Sequence, residues 1–225
     1  GNYTEINPLS STVNDAQAMA KLLAEFGYDV RLVRDPTSEG IRVAVDEFVE
    51  AARGADVAIV YFSDHGMQVN GESYFAPADA GRNGNGFAEH LAVSAIVARL
   101  EAAGVKTKIV LVDACRNNPF VDQNGRVRAE VVGTAAGAGE RRILGPGVMI
   151  SFASAAGELS GDSGLAYSIY TQALLSVLRV EQRIELTELT RAARKLVLAR
   201  AQANVGRRQT PFEVNSIDVQ VMFER

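Results

Sequence analysis

Val57-Ala-Ile-Val-Tyr-Phe-Ser-Asp-His65-Gly66 and Lys108-Ile-Val-Leu-Val-Asp113-Ala-Cys115 are the two stretches whose reading decides the fold. Each contains a short run of apolar and β-branched residues, Val57–Phe62 and Ile109–Val112, and each run gives way to polar residues. Runs of this length and composition read as buried strands. The first leads to His65, one of two histidines, and the second to Cys115, the one cysteine. A parallel sheet gathers the carboxyl ends of its strands on one edge, where ligands bind. The pattern therefore predicts a thiol and an imidazole side by side at a sheet edge, an arrangement that can support a thiolate nucleophile.

Between the two runs, Glu72–Pro77 reads as a short strand and Asp79–Glu89 as a Gly/Asn-rich loop. Leu91–Ala103 has helical spacing, with Ile96, Val97 and Leu100 inward and Gly104 as its stop. Upstream, Asn14-Asp15 precede a helical pattern that places Ala16, Met19, Ala20, Leu23 and Phe26 on one face and ends at Gly27. Tyr28–Val33 reads as a strand. Asp35-Pro36-Thr-Ser forms a turn that caps a helix with Ile41, Val45, Phe48, Val49 and Ala52 inward. Downstream, Val148–Ala153 reads as a strand, Ile169–Leu178 and Leu186–Ala203 as helices, and Val219–Phe223 as a last strand. Strand and helix patterns alternate. That predicts an α/β fold, a mostly parallel central sheet with helices on both faces, in one domain over residues 1–225.

Composition bounds the function. An apolar fraction of 47% over 225 residues fills a sizeable core. A net charge of −4 without a Lys/Arg block does not suggest nucleic acid as a partner. No apolar run approaches the length of a membrane span, so no membrane partner is expected. One cysteine allows no internal disulfide, and the expected location is cytoplasmic. No Gly-rich turn with nucleotide-binding spacing joins a strand to a helix, which counts against a doubly wound domain binding a small anion.

A lone cysteine is more often a small buried hydrophobe than a catalyst. Cys115 stands past the apolar run, beside Asp113, Arg116 and two asparagines, which favours access. His65 is a capping loop histidine on the plain reading. Its Gly66 neighbour and strand-end position favour a cleft. His90 reads as a surface histidine at a helix start.

With these residues in place the sequence resembles a known family. Ser63-Asp64-His65-Gly66 is similar to the histidine segment of caspase-like cysteine peptidases, and Asp113-Ala-Cys-Arg-Asn-Asn-Pro-Phe120 to the nucleophile segment of their bacterial branch, related to metacaspases. The separation of 50 residues matches the caspase spacing of about 50. Asn14-Asp15-Ala16, Tyr74-Phe-Ala-Pro77-Ala-Asp79, Ser168-Ile-Tyr-Thr-Gln-Ala-Leu-Leu175 and Gln209-Thr-Pro-Phe212 resemble further family segments. The family begins with a strand that leads into Gly-Asn-x-x-Tyr. Here Gly1-Asn2-Tyr3 open the sequence, so the resemblance implies a first central strand that these residues do not contain. It also divides the chain into a large-subunit-like part (1–120), a loop (121–146) and a small-subunit-like part (147–225).

The resemblance implies peptide-bond hydrolysis through an acyl-enzyme, with Cys115 as nucleophile and His65 as its acid–base partner. The backbone N–H groups of Gly66 and Cys115 become the oxyanion donors. Animal caspases carry Gln two residues before the cysteine; this sequence has Asp113. By the same resemblance Asp15, Asp113 and, more weakly, Asp162 line the specificity pocket, and a protein or peptide substrate is cut after Arg or Lys. Each has a plainer role open to it: Asp15 as a charge favoured at a helix N-terminus, Asp113 as a strand-end hydrogen bonder. Asp64 stands where the branch more often has Gly, and it either favours the charged imidazole or points into solvent. The Gly- and Ala-rich loop 121–146 carries Arg126, Arg128, Arg141 and Arg142, natural self-cleavage sites under that specificity. No metal is expected. The acidic run that binds calcium in many metacaspases is not evident, though Asp79 remains. A monomer or weak dimer is expected. The competing expectation is a caspase-like regulatory module whose dyad is idle.

Overall fold

The computed structural model describes residues 11–69, 72–80, 91–114, 145–155, 166–206 and 208–225. Within them the elements run α1 (Thr12–Glu25), α2 (Ser38–Ala51), β1 (Val57–Ser63), β2 (Gly66–Val69), β3 (Glu72–Phe75), α3 (Val93–Ala102), β4 (Thr107–Asp113), β5 (Val148–Phe152), α4 (Ile169–Val180), β6 (Arg183–Glu185), α5 (Leu186–Val205), β7 (Phe212–Asn215) and β8 (Met222–Glu224). The central sheet has the order β1-β4-β5-β7. The first three strands are parallel and β7 closes one side antiparallel. No helix among the described residues is long and apolar enough to cross a membrane.

Strand side chains alternate between faces, and the sequence supplies apolar groups to both. Ile109 and Leu111 of β4 and Met149 of β5 join one core with α1, α4 and α5. Val110 and Val112 of β4 and Val148, Ile150 and Phe152 of β5 join the other, with Ile96, Val97 and Leu100 of α3 and, at its margin, Val45 and Phe48 of α2. Every residue of β4 and β5 is buried. Helices thus cover both faces of a mostly parallel sheet, as the strand–helix alternation predicts.

The helix starts follow local chemistry. Thr37 caps α2 by accepting the Gly40 N–H at 3.1 Å. Ser168 caps α4 by accepting the Thr171 N–H at 3.0 Å. Helix α1 begins before Asn14-Asp15, so both residues stand in its first turn and Ser11 precedes the helix.

One sequence expectation is corrected, and three further strands are placed by their pairing. Tyr28–Val33 forms no strand and pairs with none among the described residues. The tail strand β8 pairs with β6 and stays outside the central sheet. Two strands, β2 and β7, carry no long apolar run, and both are present. The reason that Tyr28–Val33 forms no strand is visible in β1. The Thr107 N–H bonds the Asp56 carbonyl at 2.9 Å and the Asp64 N–H bonds the Asp113 carbonyl at 3.3 Å. Even-numbered residues therefore turn their backbone groups to β4, and Val57, Ile59, Tyr61 and Ser63 turn theirs to the opposite edge. A cavity of about 550 Å³ lies there, lined by β1, by α1 and by residues 28–36. Only Ala58 of β1 is buried, against all of β4.

Candidate active site

The register of the two central strands carries the site. β1 pairs with β4 from Val57 opposite Thr107 to Ser63 opposite Asp113. The offset is 50 residues at every rung, the same number that separates His65 from Cys115. His65 comes two residues after the last rung on one strand, and Cys115 two residues after it in sequence on the other. Cys115 itself lies outside the described residues, as do Asp162, His90 and the loop 121–144 with its four arginines.

The turn that carries His65 is held by its backbone. The His65 N–H donates to Asp64 Oδ1 at 2.9 Å, and the His65 carbonyl accepts the Ala76 N–H at 3.0 Å. Asp64 is half-buried and engages the backbone of the turn. His65 is half-buried. Gly66 is buried and opens β2, in register with Phe75. Phe75 in turn stacks on Phe62 of β1, with ring centroids 4.0 Å apart. The hairpin β2–β3 is thus locked onto the strand that delivers the histidine.

Beside this turn, four elements converge on two carboxyl groups. Asp15 is fully buried and Asp113 is 4% exposed. Asp15 accepts the Ser168 N–H on Oδ1 and the Ser63 hydroxyl on Oδ2, both at 3.0 Å. Asp113 Oδ2 accepts the Ser168 hydroxyl and, at 2.6 Å, the Thr171 hydroxyl. The Thr171 hydroxyl is also bonded to Tyr61. Burial, followed by the charge of Asp113, pushes the Asp15 carboxyl from its ordinary 3.8 up to about 7. Burial also lifts the Tyr61 hydroxyl well above its usual range, helped by both carboxylates. Asp15 does stand in the first turn of α1, as the plainer reading has it, and its side chain turns inward to α4 and β1.

The family model Peptidase_C14, caspase domain, matches residues 1–221. The chain belongs to the caspase domain family. A 121-residue part of this caspase domain is 27% identical to the human mucosa-associated lymphoid tissue lymphoma translocation protein 1. That match covers 54% of this chain and 15% of the human protein. The α/β architecture with its mostly parallel sheet is the caspase-like fold the sequence motifs imply.

Of the residues the sequence singles out, the structure brings Asp15 and Asp113 together and places His65 and Gly66 at the carboxyl end of β1. Ser168, Thr171, Tyr61 and Ser63 escaped the sequence reading of the site. A serine followed three residues later by threonine at the start of a helical pattern reads as a cap. Ser168 is one, and the same hydroxyl also reaches Asp113. Among the described residues no group of three or more His, Cys, Asp or Glu is arranged to hold a metal ion.

Proposed function

We propose that this caspase domain is a cysteine endopeptidase that works through Cys115 and His65. The observation that carries the reading is the shared offset of 50 residues between strand register and dyad spacing. Two parallel strands paired in that register direct their next residues to one edge of the sheet. The Cys115 thiolate attacks the scissile carbonyl, and the carbonyl oxygen takes the electron pair. The backbone N–H groups of Gly66 and Cys115 serve as donors to that oxyanion. His65 gives its proton to the leaving amine, and a thioester remains on Cys115. Water, giving a proton back to His65, then hydrolyses the thioester and frees the acid.

The preference we assign is cleavage after Arg or Lys, read out by Asp15 and Asp113 with Asp162 as a third acid. The support is electrostatic: two buried carboxyl groups favour a cation and penalise an acidic side chain. The same preference makes Arg126, Arg128, Arg141 and Arg142 self-processing sites within residues 121–146.

The test is hydrolysis of matched fluorogenic peptides ending in Arg and in Asp by wild type, Cys115→Ala and His65→Ala. Cleavage of the Arg peptide alone, lost in both variants, is the expected result. Cleavage after Asp would remove Asp15 and Asp113 from the specificity pocket and keep the peptidase. Cleavage of neither peptide would leave a caspase-fold interaction module.

A further inference from the structure

The bond directions in the buried cluster assign its protons. The Thr171 hydroxyl has one hydrogen, and it goes to Asp113 Oδ2, so Tyr61 is the donor to Thr171. The Ser168 hydroxyl likewise spends its hydrogen on Asp113 while accepting the Thr171 N–H. Asp113 is thus served by two hydroxyl donors, one of them backed by Tyr61. The 2.6 Å contact from Thr171 falls in the range of hydrogen bonds to a charged carboxylate, whereas the 3.0 Å contact of Asp15 to Ser63 does not. Two carboxyl groups confined in one dry site cannot both ionise cheaply.

Among the described residues, the other titratable groups that face the pair do not relieve it. Tyr61 faces both carboxyls from β1, and Tyr170 on α4 faces Asp113. Burial raises both phenols, so both stay neutral near pH 7. Asp113 on β4 is the charged group that acts on Asp15.

We propose that Asp15 and Asp113 hold one proton between them in the substrate-free protein, lodged on Asp15, and that a basic substrate side chain binds by expelling it to solvent. The proposal rests on the peptidase reading above and adds its regulation. Asp113 is the standing negative charge. Asp15 is a second charge that appears only when a guanidinium or ammonium group arrives to balance it. Ser168, Thr171 and Tyr61 are positioning residues, because they hold Asp113 in the ionised form and leave the proton to its neighbour. Selectivity for a basic residue then grows with pH until Asp15 is ionised without help.

Two readouts test this on the whole chain. The first is the carbon-13 carboxyl NMR signal of aspartate-labelled protein across pH. One aspartate titrating near pH 7 is expected. It is absent in Asp15→Asn, and its midpoint drops by a pH unit or more in Asp113→Asn. No aspartate titrating between pH 6 and 8, or a midpoint that ignores Asp113→Asn, overturns the proposal. If Asp113→Asn does not fold, Thr171→Val is used instead. It weakens the charge on Asp113 and is expected to shift the same midpoint, and a midpoint that stays put counts against the proposal.

The second readout is the ratio of kcat/KM for an arginyl peptide over its uncharged citrullinyl counterpart. Below the midpoint it is expected to rise towards tenfold per pH unit, through KM, and to level off above it. In Asp15→Asn the ratio is expected to be independent of pH. A flat ratio in the wild type, with the NMR midpoint near 7, overturns proton displacement. Cleavage of no peptide, with that midpoint present, sinks the peptidase reading and the displacement step and leaves the shared proton standing.

Discussion

Asp15→Asn should flatten the pH dependence of folding stability, by an amount that follows from where the carboxyl is buried. Asp15 is fully buried in the first turn of α1, against β1, β4 and α4, with the charge of Asp113 beside it. Its carboxyl releases a proton at about 7 in the folded protein, against an ordinary 3.8. Between those values the folded state keeps a proton that the unfolded state has lost. Stability therefore falls as pH rises through that window and is level above it. Each pH unit is worth about 1.4 kcal/mol, so the whole window from 3.8 to about 7 amounts to about 4 kcal/mol.

Asparagine is neutral throughout and keeps an oxygen for the Ser168 N–H. The slope with pH, not the absolute value, reports on Asp15. Urea unfolding at pH 5, 6, 7 and 8 measures it for wild type and variant. The stability of Asp15→Asn relative to wild type is expected to rise by about 2 kcal/mol from pH 5 to 7 and by little from 7 to 8. A constant difference over the whole range would mean that Asp15 is ionised at pH 5. The picture of a dry carboxyl beside a charged one would then be wrong.

Two further substitutions probe the end of the sheet opposite the site, and a third, at the end of α5, serves as their control. Gly147 has φ +71, and a Cβ there would stand 2.3 Å from the Lys106 carbonyl oxygen. Gly147→Ala is expected to cost more than the roughly 1–2 kcal/mol of a left-handed alanine, and Gly206→Ala, with φ +61 and open space, no more than that; urea midpoints compare them. Lys108 is 3% exposed, and its ammonium donates to the Pro146 carbonyl at 2.9 Å and the Val105 carbonyl at 3.3 Å. Lys108→Met leaves both carbonyls without that partner and is expected to lower stability by about 1–3 kcal/mol in the same assay.

What the sequence discloses and what it hides follow from the range of the forces involved. The runs at Val57–Phe62 and Ile109–Val112 are legible because both faces of each strand meet a helix layer, so every position is apolar. Strand β7 is invisible by that test: Phe212, Glu213 and Asn215 are exposed, and its place is set by pairing with β5. The site divides the same way. A histidine and a cysteine just past two strand ends can be read locally. The bonds from Ser168 and Thr171 to Asp113 span 55 and 58 residues, and nothing local distinguishes these side chains from ordinary residues of a helix start.

Strand β1 shows the limit most sharply. Its sequence has the composition of a central strand, yet among the described residues it is the last strand on its side of the sheet. Side chains and backbone groups point in perpendicular directions. Apolar composition therefore reports the layers above and below a strand and says nothing of the neighbours to its left and right. The faces of β1 are answered by α1, α4 and α5 on one side and by α2 and α3 on the other. Its outer edge, with the backbone groups of Val57, Ile59, Tyr61 and Ser63, is answered by a cavity. The expectation of a strand at Tyr28–Val33 fails for the same reason. Its apolar alternation is real, since Tyr28 and Val30 pack against the core. A strand also needs a ladder, and among the described residues none pairs with this segment, which lines the cavity beside β1.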